Sequence, residues 1–189
     1  MRIGVFGGSF DPVHHGHLIA AASLADALQL DEVRLVVARQ QPLKHGGHGA
    51  PPADRAAMVE LAVCGDPRLR ADRSEVDREG PSYTVDTLRA LREERPGDEL
   101  VLLLGTDAAA QLPRWHEAEQ LRSLARIEVF ARDGDAATGR AVWVPRLDIS
   151  STAIRALVRA GRPIRYWVPE KVAEYIAALR LYEELGDRS

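Results

Sequence analysis

Residues 3–17 read Ile-Gly-Val-Phe-Gly-Gly-Ser-Phe-Asp-Pro-Val-His-His-Gly-His. An apolar, β-prone run ends in Gly7-Gly8, and a helical pattern opens at Gly16. A strand that closes on paired glycines brings bare backbone N–H groups to a surface, and the following helix aims the positive end of its dipole at the same place. Such a turn binds phosphate. His14 and His17 flank it, one in the turn and one in the first helical turn, where imidazole N–H groups donate to phosphoryl oxygens carrying transient charge.

Outward from this stretch, β-rich apolar runs at Arg2 to Phe6, Val33 to Val37, Leu100 to Leu104 and Ile127 to Phe130 alternate with helical patterns at Gly16 to Ala27, Ala53 to Val63 and Thr84 to Arg95. Continuous apolar strands between helices predict a parallel sheet covered on both faces, a doubly wound, Rossmann-like α/β fold. Ligands in such folds sit beyond the carboxyl ends of the strands, where Gly7-Gly8 and Gly105-Thr106-Asp107 both lie. After Trp143-Val144-Pro145 the pattern turns helical: Ser150-Ser151-Thr152 caps a helix through Arg159, and Pro169 opens a last one to about Arg180. The expectation is a single domain over 1–189, with a C-terminal helical part over roughly 150–182. The segment Gln40 to Pro52, rich in Gly, His and Pro, is expected to be a mobile loop able to close over a substrate, and Glu183 to Ser189 a frayed tail.

A chain of 189 residues with 46% hydrophobic content suffices for one core. Net charge is -3, so no global basic field draws the protein onto nucleic acid, and any anion site is local. No apolar run approaches a membrane span, and Met1 leads into a strand without a signal-peptide pattern, so a soluble, cytoplasmic protein is expected. Cys64, the only cysteine, excludes an internal disulfide and a Cys-clustered zinc site, and its setting predicts a buried helix residue. Arg89, Arg92 and Arg95 read as a solvated helix face, His15 as facing solvent, and Trp143 and Trp167 as core.

No Gly-x-x-x-x-Gly-Lys-Ser/Thr occurs, which excludes a P-loop ATPase. A dinucleotide-binding turn needs Gly-x-Gly-x-x-Gly and an acidic residue closing the second strand, whereas Gly-Gly-Ser-Phe-Asp-Pro and Ala38-Arg39 stand here.

His14-His15-Gly16-His17 together with Ile149-Ser150-Ser151-Thr152-Ala153-Ile154-Arg155 resembles the adenylyltransferase superfamily, in which a His-x-Gly-His turn and a Ser/Thr-rich segment ending in Arg grip ATP. Within it the chain is most similar to the bacterial nicotinate-nucleotide adenylyltransferases. The resemblance is carried by Gly7 to Pro12, Gly80-Pro81-Ser82-Tyr83-Thr84-Val85-Asp86-Thr87-Leu88, Gly105-Thr106-Asp107 followed by Trp115, Ile149 to Arg155, and Arg165 to Pro169. It implies transfer of AMP from ATP to nicotinate mononucleotide, with pyrophosphate released, in NAD biosynthesis. Two other readings are weaker: the sibling reading, phosphopantetheine as acceptor, does not account for Ser82-Tyr83-Thr84 and Trp115, and a reading of a different class, a nucleotide-binding sensor that lost catalysis, has no need of His14, His17, Lys44 and Arg155 together.

The resemblance implies roles. His17 is expected on the α-phosphate and His14 beside it on the triphosphate, while Arg155, with Ser151 and Thr152, holds the departing pyrophosphate. Gly7, Gly8, Ser9, Phe10 and Ile149 complete the ATP site, with Gly105 and Asp107 meeting adenosine. Trp115 stacks on the pyridine ring, Tyr83 and Thr84 lie near it, and Ser9 and Lys44 complete the mononucleotide site. No carboxylate cluster stands at metal-ligand spacing, so Mg²⁺ is expected to arrive on the ATP phosphates. Leu43 replaces the histidine of a common Pro-Pro-His-Lys loop, His45 and His48 read as a solvated loop, and Arg132-Asp133 departs from the more usual Arg-Pro. Oligomeric state stays open, a homo-oligomer included.

Overall fold

The structure, a computed structural model, describes residues 1–42, 47–132 and 141–183. Its sheet has six strands in the order β3-β2-β1-β4-β5-β6. In chain order these are β1 (Arg2–Gly8), β2 (Glu32–Val37), β3 (Leu69–Asp72), β4 (Glu99–Gly105), β5 (Arg126–Arg132) and β6 (Val142–Val144). Every pairing between neighbours is parallel. The helices are α1 (His15–Ala27), α2 (Pro52–Val63), α3 (Ser74–Asp77), α4 (Thr84–Glu94), α5 (Thr106–Gln111), α6 (Ala118–Leu124), α7 (Ser151–Arg159) and α8 (Glu170–Ala178), with a 3-10 turn at Leu112–Arg114. The expected doubly wound fold is observed.

Strand side chains alternate between faces with period two. Ile3, Val5, Leu100, Leu102 and Leu104 enter one core layer with Val85, Leu88 and Leu91 of α4 and Leu121 of α6. Phe6, Val33, Leu35, Val37, Val101 and Leu103 enter the other, with Leu24 of α1, Met58 and Val59 of α2, Ile154 of α7 and Val172 and Ile176 of α8. Each such side chain contributes about 1.5–3 kcal/mol when buried, which is why the central strands read as unbroken apolar runs. Gly4 faces the second layer because nothing larger fits: a Cβ there would lie 2.7 Å from Leu30 Cδ1 and 3.0 Å from Leu103 Cδ1.

The strand order reverses between β1 and β4, so the crevice for a ligand opens beyond Gly8 and Gly105. The edge strands β3 and β6 are additional to the four strands expected from the sequence. Both are short, and Leu69-Arg70-Ala71-Asp72 mixes charge into its alternation.

Three local expectations fail. Cys64 is exposed, because α2 ends at the buried Val63 and the next residue turns off the core-facing stripe; Lys171 Nζ lies 3.6 Å from its sulfur. Trp143 is exposed, since Val144 takes the inward position of β6 and period two sends its neighbour out. Arg92 is no free surface charge. Its Nε donates to Leu124 O at 2.8 Å and Nη1 to Asp98 O at 3.0 Å, satisfying the carbonyl that ends α6. Arg89 reaches Glu117 at 2.5 Å. His15 is half-buried and Trp167 packs against the core.

Candidate active site

β1 delivers Gly7 and Gly8 to the switch point. Gly7 is exposed, whereas a Cβ on Gly8 would meet the Phe10 ring at 2.9 Å. Phe10 itself adopts φ 46 and is 2% exposed. Its ring meets Phe6 edge-on at 5.8 Å and His17 at 5.1 Å, so it supports the turn from beneath and does not line the cleft.

His14 is the N-cap of α1 and His17 its third residue. The backbone N–H of His14 donates to His17 Nδ1 at 3.2 Å. An accepting Nδ1 is unprotonated, so a neutral His17 carries its proton on Nε2, as a donor. The two imidazoles stack at 3.7 Å with 27° between planes. Gly16 permits this geometry, since a Cβ there would lie 3.1 Å from the His14 ring.

A cleft of about 910 Å³ opens over these residues. Gly7, Gly8, His14, His17, Gly105, Asp107, Ile149 and Ser151 line it, as do Tyr83, Thr84 and Trp115. Ser150 caps α7 by accepting the Ala153 N–H at 3.1 Å, and Ser151 Oγ donates to Pro12 O at 2.9 Å, which ties α7 to the glycine turn. Ser9, Thr152 and Arg155 are not in the lining. Ser9 Oγ donates to Gln41 Oε1 at 2.6 Å. Arg155 Nη1 donates to Asp11 O at 2.6 Å, and Nη2 faces Thr152 Oγ1 at 3.4 Å. Lys44 lies outside the described residues.

The wall at the other end is aromatic. Tyr83 precedes α4, Trp115 follows the 3-10 turn half-buried, and His116 stacks on Tyr83 at 4.2 Å. His116 Nε2 lies 3.2 Å from Glu117 Oε1. No local pattern assigns His116 a role, because its ring partner Tyr83 is distant in the chain.

Two polar centres carry no local signature in the sequence. Asp11, 1% exposed, accepts from Gly49 N at 2.7 Å, Ala50 N at 3.1 Å and Tyr182 Oη at 2.9 Å, and its Oδ2 lies 3.7 Å from Arg155 Nη1. Arg55, fully buried, donates to Ser9 O at 2.6 Å, Arg39 O at 3.1 Å and Ala50 O at 3.2 Å. Burial lowers its pKa, opposed by the charge of Asp11. Burial, then the Asp11 carboxylate, pushes the Tyr182 phenol well above the usual tyrosine range. These contacts anchor residues 49–50 of the segment expected to be mobile, while Ser82 Oγ accepts the Arg39 N–H at 2.9 Å at the other end. The second centre is Glu75, buried in the cleft wall, whose pKa burial raises against the hydroxyls of Thr87 and Ser82.

A family profile described as cytidylyltransferase-like matches residues 5–157. A Roseiflexus sp. (strain RS-1) protein is 45% identical over 194 residues, 95% of this chain and 97% of its own. A Thermus thermophilus protein is 47% identical over 187 residues, 96% of this chain and 100% of its own. Both are described as probable nicotinate-nucleotide adenylyltransferases. Among solved structures, Plasmodium falciparum nicotinic acid mononucleotide adenylyltransferase complexed with NaAD shares the fold, with a TM-score of 0.77 at 20% identity over 96% of this chain and 97% of that one. Similarity at this level along nearly the whole chain, on a parallel sheet whose switch point carries the His-x-Gly-His turn, means that the chain belongs to the nicotinate-nucleotide adenylyltransferase family within the cytidylyltransferase-like proteins.

Proposed function

We propose that this protein transfers the adenylyl group of ATP to nicotinate mononucleotide, forming nicotinate adenine dinucleotide and pyrophosphate in NAD biosynthesis. The observation that carries the reading is that one cleft joins both halves of the machinery: the glycine turn with its two imidazoles, and the aromatic wall of Tyr83 and Trp115. Its volume of about 910 Å³ is in the range that holds a ligand of nucleotide size.

In this reaction a phosphate oxygen of the mononucleotide attacks the α-phosphorus in line, and the bond from that phosphorus to the bridging oxygen breaks as pyrophosphate leaves. The nucleophile is already an anion, so the protein supplies alignment and charge stabilisation. Alignment of two bound nucleotides lowers the barrier by about 7–11 kcal/mol. His17 donates from Nε2 to the α-phosphate, worth about 2.7–4 kcal/mol for a donor so placed. His14 lies beside it on the triphosphate. Gly7 N–H and the α1 N-terminus face the phosphates. Arg155 braces the turn through Asp11 O from behind the cleft lining, and it and Thr152 turn inward to join Ser151 on the pyrophosphate when the triphosphate binds. Gly105 and Asp107 meet adenosine, Trp115 stacks on the pyridine ring beside Tyr83 and Thr84, and Lys44 meets the mononucleotide phosphate.

No group of three or more His, Cys, Asp or Glu suited to a metal ion occurs among the described residues. A Mg²⁺ ion arriving on ATP would be held largely by phosphate oxygens and water. That ion would neutralise charge on the triphosphate. Among the described residues no helix is long and apolar enough to cross a membrane, and the cytoplasm is the location this reading assigns.

Incubation with ATP, Mg²⁺ and nicotinate mononucleotide is expected to release pyrophosphate and form the dinucleotide. No release at high enzyme concentration would reject the reading, and turnover of phosphopantetheine in its place would redirect it.

A further inference from the structure

None of the steps above uses Glu75, yet it stands in the wall of the cleft. It lies on α3 and is 7% exposed. Thr87 Oγ1 donates to its Oε1 at 2.6 Å. Ser82 Oγ accepts the backbone N–H groups of Arg39 at 2.9 Å and Gln40 at 3.3 Å, which leaves its own proton for Glu75. Two hydroxyls that flank Tyr83 and Thr84 in sequence thus converge on one buried carboxyl. Thr87 is one helical turn along α4 from Thr84, and residues so spaced have Cβ atoms roughly 5–6 Å apart. Glu75 is therefore about one side-chain layer from the wall assigned to the pyridine ring.

Its charged surroundings are sparse. Asp72, ending β3, opposes its charge, and Arg78, just past α3, favours it without a hydrogen bond. From β2, Arg34 reaches Asp72 at 3.4 Å, and beyond β2 Arg39 Nη1 is committed to Val76 O at 2.9 Å. From α4 and the loop across from it come the phenol of Tyr83 and the imidazole of His116.

We infer that Glu75 sets the preference of this site between acceptors whose ring carries an anionic substituent and acceptors whose ring carries a neutral one; the inference rests on the acceptor end assigned above. An ionised Glu75 repels a ring carboxylate across a wall where the dielectric response is weak, and a protonated Glu75 does not. A ring amide feels the difference far less. Burial raises this ionisation from the ordinary glutamate value, against the hydroxyls of Thr87 and Ser82.

The test is the ratio of kcat/KM for nicotinate mononucleotide to that for nicotinamide mononucleotide, measured on the intact enzyme from mildly acid to mildly alkaline pH. Ionisations of ATP, of the acceptor phosphate and of His14 and His17 act on both acceptors and cancel in this ratio. For the wild type it is expected to fall by about tenfold as pH rises through the Glu75 ionisation. Glu75→Gln is expected to abolish that step and to exceed the wild-type ratio by about tenfold on the alkaline side. Thr87→Val, which removes a donor to the ionised form, is expected to move the step to higher pH. A step that persists in Glu75→Gln, or a variant that slows both acceptors equally with the ratio unchanged, overturns the inference. If Glu75→Gln does not fold, an unmoved step in Thr87→Val does so. Absence of turnover with either mononucleotide in the wild type overturns the adenylyl-transfer reading as well; turnover without these ratio changes overturns Glu75 alone.

Discussion

The phenolic hydroxyl of Tyr182 donates at 2.9 Å to Oδ1 of Asp11, a residue 171 positions earlier in the chain. The same carboxylate accepts from the backbone at Gly49 and Ala50, and the Asp11 carbonyl accepts from Arg155. The glycine turn is thus shaped by three segments remote from it. Gly49 records how closely they meet: a Cβ there would lie 2.8 Å from Arg155 Cδ and 3.0 Å from the Tyr182 ring.

Tyr182→Phe removes one donor from a buried carboxylate and is expected to lower stability by about 1–3 kcal/mol in urea unfolding. Because the folded-state pKa of Tyr182 is raised, the native protein holds that proton more tightly than the unfolded chain does. Its contribution is complete below the unfolded tyrosine value of about 10 and is lost as pH climbs beyond it. Tyr182→Phe should therefore shallow the alkaline limb of stability against pH, and ultraviolet titration should show a phenol that ionises only on unfolding.

Arg55→Met keeps the length of the buried side chain but strands the carbonyls of Ser9, Arg39 and Ala50. A loss of about 3 kcal/mol is expected, read as a lower urea midpoint at unchanged slope. Unchanged stability would mean that those carbonyls find other donors.

His17→Ala is expected to lower kcat by about 10² to 10³ while KM for ATP changes much less, the pattern of a donor used in the transition state. A fall below about fivefold would place the principal donor elsewhere.

Trp115→Ala is expected to raise KM for the mononucleotide by about tenfold, with KM for ATP little changed, since stacking of this kind is worth about 0.5–1.5 kcal/mol beyond area burial. A rise confined to ATP would refute the stacking assignment.

The parallel sheet, the glycine turn and the helix that opens at its histidines are legible because each is a local pattern. Ile3, Val5, Leu100 and Leu102 announce buried strands by composition, and Gly7-Gly8 followed by His14 and His17 announces a strand-to-helix turn that opens on the cleft. The short strands β3 and β6 gave little signal, since an edge strand needs few apolar residues. Cys64 and Trp143 depart from expectation for a related reason: residue type suggests burial, but helix termination and strand parity decide it.

What the sequence by itself determined, then, is the alternation of the four central strands with helices and the glycine turn and imidazoles that the fold brings to one cleft, because apolar periodicity, glycine placement and imidazole spacing act over a few residues. Tertiary structure alone decided that Phe10 supports His17 from below, that Arg155 grips the Asp11 carbonyl, and that Asp11 and Glu75 become shared buried acceptors. Such roles draw on partners up to 171 residues away, and the proximity of a hydroxyl or guanidinium so distant in the chain is set by how the layers pack.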